Sequence, residues 1–522
     1  MKTRNIIKYV IGGLLVCTSV SGIWGWRTSD KLVDEMKEKM SELERQEKRS
    51  AVLKSISNQM EEITYQQMKI SDEQRLEAIE QRERAELERR NAVIAQHNAL
   101  ESEQKAIDAY QQAQYQRIQA DQQRQQAEHS KSIADTLSYL ALGRSLGAQA
   151  TTQFYAGNHE LATMLSYLAY EYTNRYHGDM YYPAIYQAIA LSSQSSFVWP
   201  KHQGPVTDLD FMPQTDDMLV TVSSYGEIML HQKNGKNLRT IELLKDSKYD
   251  FRDIHINPKN GHIYALSRNS YMAIKSGKKI SIIPLETIKH PMKLQSFINS
   301  SDLLIVGEHQ LAIFDTETNT LKETRNLDFN VTFSNRFNNM PIIFDDKGRM
   351  HTVESLSKIT TKKIPVKGRV TAFASSKGSG LQAYGMSDGM IYVIDKVGKI
   401  WKLVGHRSRI SFIKINRNHV YSSSYDGTVN LWNIKGEKIE PMTLVSKGNW
   451  ILCFTFDPSK EHMWIGDQRG NLSEVLISVP IIIENVKSQV KRNFTPTEWS
   501  YYIGENVKYE PILETGRKEA HP

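Results

Sequence analysis

The chain of 522 residues contains very little cysteine and has no strong excess of charge of either sign. Its two cysteines, Cys17 and Cys453, exclude a disulfide framework and a four-cysteine zinc site. Lysine and arginine number 66 against 59 aspartates and glutamates, so the formal charge of +7 is mild for this length. This charge does not indicate nucleic-acid binding, and we predict no nucleic-acid partner.

Two sequence motifs of common catalytic and cofactor sites are also absent. There is no Gly-x-x-x-x-Gly-Lys-Ser/Thr phosphate loop and no His-Glu-x-x-His zinc motif. Residues 376–380 are rich in glycine but lack the lysine that follows in a phosphate loop, so we interpret them as a connection between strands. We therefore predict a chain that is not an enzyme and has no catalytic residue, cofactor or metal.

Residues 28–135 lack proline and glycine, which favours a long uninterrupted helix. Apolar residues recur there at spacings of three and four, first at Val33, Met36, Met40 and Leu43 and then at Leu53, Ile56, Met60 and Ile63. We assign residues 28–130 to a long α-helical coiled coil, a stalk whose self-association makes the protein a homo-oligomer. The alternative is a single solvated helix stabilised by pairs of opposite charge.

One long uncharged run lies near the N-terminus, at residues 9–26. Lys2, Arg4 and Lys8 precede it, and Trp24 and Trp26 lie at its far end, where aromatic rings prefer the membrane interface. A run of this length is near the lower limit for crossing the hydrocarbon core. We predict that residues 1–27 form a transmembrane helix and that the protein is a single-pass membrane protein with its N-terminus inside.

Two other interpretations of this run stay open. A cleaved signal peptide has a similar basic start, and Cys17 after three apolar residues is similar to a lipoprotein site. Arg27 and Lys31 follow the run closely and weaken the charge asymmetry that orients a span. The side of the membrane on which the rest of the chain lies is therefore left undecided.

Residues 131–195 are predicted to form a small α-helical adapter. Gly157 and Asn158 indicate a turn, residues 176–179 a break, and Pro183 the start of a further helix. From His202 onwards the pattern changes to short strands separated by turn residues, with a repeat of roughly 40 residues. The clearest copy runs from Gly405 to Asn433, and its Asp-Gly pair indicates a tight hairpin.

This copy resembles a WD-repeat blade. The resemblance implies that a histidine, a serine or threonine, an aspartate and a tryptophan share one buried hydrogen-bond network. Of the three neighbouring serines we select Ser423, so the predicted network comprises His406, Ser423, Asp426 and Trp432. Weaker copies at the same spacing complete an all-β propeller of about seven blades over residues 196–480.

The last blade lacks a fourth strand of its own. Phe197, Val198 and Trp199 lie just before the first blade, and we predict that they pair with the last one and close the ring. Residues 481–522 are predicted to form a C-terminal helical tail, with a helix that begins at Thr495 or Thr497. The chain is therefore predicted to be multidomain, with an anchor, a stalk, an adapter, a propeller and a tail.

Two further segments, residues 155–162 and 494–502, resemble the parts that flank the propeller in bacterial signal-transduction NTPases with numerous domains. The resemblance is to the C-terminal half of those proteins, which often place a membrane span and a charged helix before the propeller. It implies a bacterial protein in the inner membrane. The NTPase part is absent, because the chain has no phosphate loop.

We expect a non-catalytic, membrane-tethered scaffold or adaptor whose propeller rim binds a protein partner. Two alternatives stay open. The first is a sensory arm of a signalling or defence complex that acts with a separate NTPase or protease. The second is a periplasmic propeller that binds carbohydrate or acts as a hydrolase.

Overall fold

The structure, a computed structural model, describes residues 106–513 except 214, 216, 298 and 299, together with the helical residues 81, 82, 86 and 90. The predicted anchor, most of the predicted stalk and the last nine residues lie outside the described residues. Among the residues that are described, no helix combines the length and the apolar character needed to cross a membrane.

Three helices precede the strands: α1 (Ala106–Tyr155), α2 (His159–Arg175) and α3 (Pro183–Ser192). Helix α1 passes without a break through the predicted boundary at residue 130. From residue 114 to 129 its described side chains are solvent-exposed on every side. Gly157, with a φ of 87°, lies in the turn before α2, and Pro183 occupies the first turn of α3, where its missing N–H leaves no helical bond unmade.

In the described part of the chain, 28 strands form seven antiparallel sheets of four strands each. Blade 1 consists of β2 (Val206–Phe211), β3 (Met218–Ser223), β4 (Glu227–Asn234) and β5 (Asn237–Lys245), and blade 2 of β6 (Phe251–Ile256), β7 (Ile263–Ser267), β8 (Tyr271–Ser276) and β9 (Lys279–Pro284). Blade 3 consists of β10 (Pro291–Ser296), β11 (Leu303–Gly307), β12 (Gln310–Asp315) and β13 (Thr320–Asn326). Blade 4 consists of β14 (Val331–Phe337), β15 (Met340–Asp345), β16 (Arg349–Val353) and β17 (Ile359–Lys363).

Blade 5 consists of β18 (Val370–Ser375), β19 (Gln382–Met386), β20 (Ile391–Ile394) and β21 (Ile400–Leu403). Blade 6 consists of β22 (Ile410–Asn416), β23 (His419–Ser424), β24 (Thr428–Asn433) and β25 (Met442–Ser446). Blade 7 consists of β26 (Ile451–Phe456), β27 (His462–Asp467), β28 (Asn471–Leu476) and β1 (Ser196–Pro200). The first strand of each blade contacts the first strand of the next around the whole ring. The architecture is therefore a closed propeller, and the predicted count of seven blades is confirmed.

Strand β1 supplies the fourth strand of blade 7. It runs antiparallel to β28, with Phe197 opposite Glu474 and Trp199 opposite Leu472. Phe197 and Trp199 lie on the half-buried face of this strand, while Val198 is 53% exposed on the other face. A strand that precedes blade 1 in sequence thus completes blade 7 and covers the edge of β28.

The first strands share a feature that the sequence pattern did not reveal. In each blade the pairing between the first and second strands shifts register directly after the first residue. Such a β-bulge increases the twist of the strand, as the inner wall of a ring requires. We call the end of the ring where the first strands begin the upper end, and the opposite end, where the first strands finish, the lower end.

The helices at both ends of the described part of the chain pack on the lower part of blades 6 and 7. After β28 follow α4 (Val479–Gln489) and α5 (Pro496–Tyr502), and Thr495 caps α5 in a capping box with Glu498. Buried side chains of α1, α2, α3, α4 and α5 and of the last two blades form one continuous hydrophobic cluster. The predicted adapter and tail therefore share a core with the propeller.

Candidate functional site

The predicted blade network surrounds the turn between β23 and β24, with Asp426 in the turn, His406 in the loop before β22 and Trp432 in β24. His406 Nδ1 lies 3.1 Å from Asp426 Oδ2, and its Nε2 lies 2.8 Å from the hydroxyl of Ser422. Trp432 Nε1 donates to the same hydroxyl at 2.9 Å. Gly427 allows the tight turn, because its φ is 84° and an added Cβ would lie 2.0 Å from the carbonyl oxygen of Lys447.

The choice of Ser423 for this network was wrong, and Ser422 occupies the position. Successive side chains of a strand point to opposite faces, so only one of two neighbouring serines can face the histidine. Ser423 faces the other side of β23, where its hydroxyl pairs with that of Ser411 at 2.8 Å. Both serines are fully buried, and sequence pattern alone did not distinguish them.

Hydrogen bonds control the ionisation of the turn aspartate. Burial alone would raise the pKa of Asp426, but hydrogen bonds from His406, Thr428 and the backbone N–H of Arg407 hold that pKa well below its ordinary value. The carboxylate is therefore ionised at neutral pH and ties the turn to the loop before β22. This arrangement is structural, since each of its polar groups is occupied by another residue of the blade.

Replacing Ser422 with alanine is expected to lower the free energy of unfolding by about 2 kcal/mol, because the buried Nε1–H of Trp432 and Nε2 of His406 both lose their partner. The matched variant Ser423→Ala removes one hydroxyl pair and should cost no more than about 1 kcal/mol. Urea unfolding followed by tryptophan fluorescence measures both. An equal or larger loss in Ser423→Ala would contradict the assignment.

Charged side chains from consecutive blades meet in the central channel. Asp208, Asp253 and Lys293 occupy the same position of blades 1, 2 and 3, immediately after the β-bulge. Asp208 accepts from the N–H of Ile254 at 3.1 Å, and Asp253 accepts from the N–H of Leu294 at 2.6 Å. Each carboxylate therefore binds its own blade to the next one.

Lys293 lies between these two carboxylates. Its ammonium donates to Asp253 and lies 3.7 Å from Asp208 Oδ2. Burial alone would lower the pKa of Lys293, but the two carboxylates raise it, so the lysine is charged. Further along the channel, Lys414 donates to the Thr455 hydroxyl at 2.6 Å. These groups hold the inner strands together.

The upper end carries exposed aromatic side chains near arginine. The rings of Tyr425 and Trp450 stack with centroids 4.7 Å apart and planes 5° apart. The guanidinium of Arg409 lies 5.5 Å from the centre of the Tyr425 ring. Trp450 is 46% exposed, and Tyr225, in the equivalent turn of blade 1, is 55% exposed. We call Arg409, Tyr425 and Trp450 the aromatic cluster.

No group of three histidine, cysteine, aspartate or glutamate side chains is suited to hold a metal ion in the part of the chain that the structure describes.

Comparison with protein families finds one match, in which the WD domain, G-beta repeat, corresponds to residues 398–433. These residues run from the last strand of blade 5 through the third strand of blade 6. The chain carries a WD-repeat β-propeller. No curated protein matches this chain.

WD-repeat propellers are commonly protein-interaction scaffolds. In this one, blade 1 has a network that sequence reasoning missed, because its turn has neither aspartate nor tryptophan. His202 Nδ1 lies 3.1 Å from Glu227 Oε2, and its Nε2 lies 2.6 Å from Thr221 Oγ1. His231 Nε2 reaches that same threonine at 2.7 Å. Glutamate thus replaces the turn aspartate, and histidine replaces the tryptophan.

The pKa values of Glu227 and His231 are consistent with these replacement roles. Burial alone would raise the pKa of Glu227, but hydrogen bonds from His202, Ser223 and the Gln203 N–H hold it at about 2. Burial lowers the pKa of His231 to about 3, so this imidazole is neutral in the folded WD-repeat propeller. Alignment of blade 1 with blade 6 places His231 at the position of Trp432, which was the signal that could have found it. Glu227 falls at the position of Thr428, after the turn glycine, so the alignment does not reveal it as the partner of His202.

Proposed function

We propose that this protein is a non-catalytic scaffold, tethered to a membrane through residues 9–26, whose propeller binds another protein through its upper end. The observation that carries the proposal is the stack of the half-buried Tyr425 ring on the exposed Trp450 ring, beside Arg409. Tryptophan, tyrosine and arginine are the residues most enriched where protein interfaces gain their binding energy.

The absence of a catalytic role is supported by the use of the channel carboxylates. Asp208 and Asp253 accept backbone N–H groups from the neighbouring blades, and Asp253 also binds the Lys293 ammonium. A general acid or base needs a carboxyl that faces a substrate. These carboxyls face the protein itself, which fits a structural task.

The helices lie at the lower end, opposite the aromatic cluster. Asn433 Nδ2 donates to Asp179 at 3.2 Å, and the Tyr186 hydroxyl donates to the Ile477 carbonyl at 3.0 Å. These contacts occupy the lower loops of blades 6 and 7. The upper loops of the same blades are free of the described helices, which leaves them accessible to a partner.

A second candidate is a sensory arm that acts with a separately encoded NTPase or protease. It is favoured by the contact between the two segments that resemble the flanks of the propeller in signal-transduction NTPases. Arg492 lies between them, 3.2 Å from Glu160 and 2.7 Å from Glu498. Such a brace would transmit a change from the propeller to the helix that leads towards the stalk.

Partner capture tests the scaffold proposal. Full-length protein solubilised in an uncharged detergent is compared with Trp450→Ala. Ile241→Ala, at a 43% exposed residue on the outer strand of blade 1, serves as the control. We expect Trp450→Ala to weaken capture of the partner by roughly 30-fold, the effect of losing an interface residue worth about 2 kcal/mol. The control should bind like the wild type.

An identical set of captured proteins in all three samples would contradict the use of the aromatic cluster. If an NTPase or protease is the protein lost in Trp450→Ala, the sensory-arm candidate is favoured over a passive scaffold. Reporter fusions at both termini test whether residues 9–26 span the membrane and show on which side each terminus lies. We propose a single span in the bacterial inner membrane with the N-terminus inside, and homo-oligomers formed through the stalk.

A further inference from the structure

The lower end of blades 5 and 6 contains a cleft of about 870 Å³. Its walls are the loop between β18 and β19, the turn between β20 and β21, the turn between β22 and β23, and residues 434 and 435 after β24, with Lys460 reaching in from blade 7. The glycine-rich segment at residues 376–380 forms one wall. The cleft is at the opposite end of the ring from the aromatic cluster, so it is a separate surface.

The charge of the cleft is strongly one-sided. Its cationic side chains are Lys396, Lys399, Arg417, Lys435 and Lys460. Its one carboxylate is that of Asp395, whose Oδ1 already accepts the N–H groups of Val397 at 3.0 Å and Lys399 at 2.9 Å. We call these five cations and the space between them the basic cleft.

These cations differ from others close by. On the loop that follows Lys435, Glu437 pairs with Arg144 and Glu440 pairs with Lys438 at 2.6 Å. None of the five cations of the basic cleft forms an ion pair with any residue that the structure describes. Five like charges with one carboxylate among them leave an excess of positive charge, and a polyanion in the cleft would neutralise it.

A second observation also indicates a ligand. Ser379 is one of the residues that line the basic cleft, and its hydroxyl is shielded from solvent and has no hydrogen-bond partner among the described residues. A shielded hydroxyl without a partner is unfavourable unless another group completes its hydrogen bond. A carboxylate in the cleft would accept from this hydroxyl while contacting the cations around it.

The aromatic content of the cleft distinguishes between classes of polyanion. Single-stranded nucleic acids bind on several aromatic rings, on which successive bases stack. The basic cleft has one ring, that of Trp401, and the ammonium of Lys399 already lies 4.8 Å from its centre. The cations come from loops of three blades and are spread along the cleft, which suits the spaced carboxylates of an extended chain.

We propose that the basic cleft binds an acidic peptide segment of a partner protein, rich in aspartate and glutamate. Carboxylates of the segment pair with the five cations, and one of them accepts from the Ser379 hydroxyl. This surface is independent of the aromatic cluster. Two separate binding surfaces on one propeller would allow it to hold two proteins, or two parts of one protein, at the same time.

Peptide binding to the full-length protein in an uncharged detergent tests this inference. The probe is a fluorescein-labelled polyglutamate peptide of about ten residues, followed by fluorescence anisotropy, with a polyglutamine peptide as the neutral reference. We expect polyglutamate to bind and to bind more weakly as salt is added, because salt screens exposed charges. The double variant Lys396→Glu/Lys435→Glu should weaken binding by about tenfold or more.

The matched control is Lys259→Glu/Lys278→Glu, which makes the same change of charge at exposed lower-end turns of blade 2 and should leave the affinity within about twofold. Lys396→Gln/Lys435→Gln should give a smaller loss than the charge reversal. An unfolding temperature equal to that of the wild type shows that each variant is folded. The inference is overturned if both reversals weaken binding equally, if polyglutamine binds as well as polyglutamate, or if a single-stranded oligonucleotide of equal charge binds more tightly than the peptide.

Discussion

Replacing Phe197 and Trp199 together with alanine is expected to lower the free energy of unfolding by about 4 kcal/mol. Both rings lie on the half-buried face of β1, and Trp199 stacks on Trp464 with centroids 5.5 Å apart. Full burial of an aromatic ring is worth about 3 to 5 kcal/mol, so two half-buried rings contribute about 2 each. Chemical denaturation measures the loss. Hydrogen exchange should show faster exchange in β28, whose edge β1 covers.

Val198→Ala is the control for this prediction, because Val198 lies on the same strand but points outward. It should change stability by less than about 0.5 kcal/mol. The ring-closing role of β1 would be refuted if the double variant unfolded like Val198→Ala, or if exchange in β28 stayed at the wild-type rate.

Removing the channel carboxylate by Asp253→Ala is expected to cost about 4 kcal/mol. Asp253 is 2% exposed, and its loss leaves the Leu294 N–H without its acceptor. The Lys293 ammonium would then have only Asp208, 3.7 Å away, as a counter-charge. Asp253→Ala therefore removes the closer of the two carboxylates that pair with the buried Lys293 ammonium, and breaking a buried ion pair on one side is more costly than the absence of the whole pair.

The double variant Asp253→Ala/Lys293→Met should therefore recover about half of that loss, and the full thermodynamic cycle measures the coupling. Asp302→Ala is the control, because Asp302 pairs with Lys322 at 3.0 Å on the surface. Its cost should stay below about 1 kcal/mol. A double variant less stable than Asp253→Ala, or equal costs for Asp253→Ala and Asp302→Ala, would show that the channel pair does not brace the ring.

Features that depend on a few neighbouring residues were accessible from the sequence. The Asp426-Gly427 pair indicates a tight hairpin wherever it occurs between strands, and Thr495 followed by Glu498 indicates a helix start. The repeat of roughly 40 residues predicted the number of blades, because each blade repeats the same order of strands and turns. Ser422 was missed by one position, since three serines in a row leave the facing residue undefined.

The structure decided what depends on contacts between distant residues. Asp208, Asp253 and Lys293 are each at least 40 residues from the next, and they meet only because the β-bulge recurs at the same point of consecutive first strands. Glu227 and His231 likewise acquire their roles through the register of β3 and β4. Neither relation follows from spacing in sequence, because side-chain identity at these positions differs from blade to blade.

The sequence by itself determined the repeating all-β architecture and the strand that closes it, because hairpin turns and alternating patterns are local properties of the backbone. Only the tertiary structure decided how the blades are joined in the channel, that the helices from both ends of the described chain share one core with blades 6 and 7, and which loops form the basic cleft. The physical reason is that closing a ring brings together side chains whose separation along the chain carries no information about their distance in space.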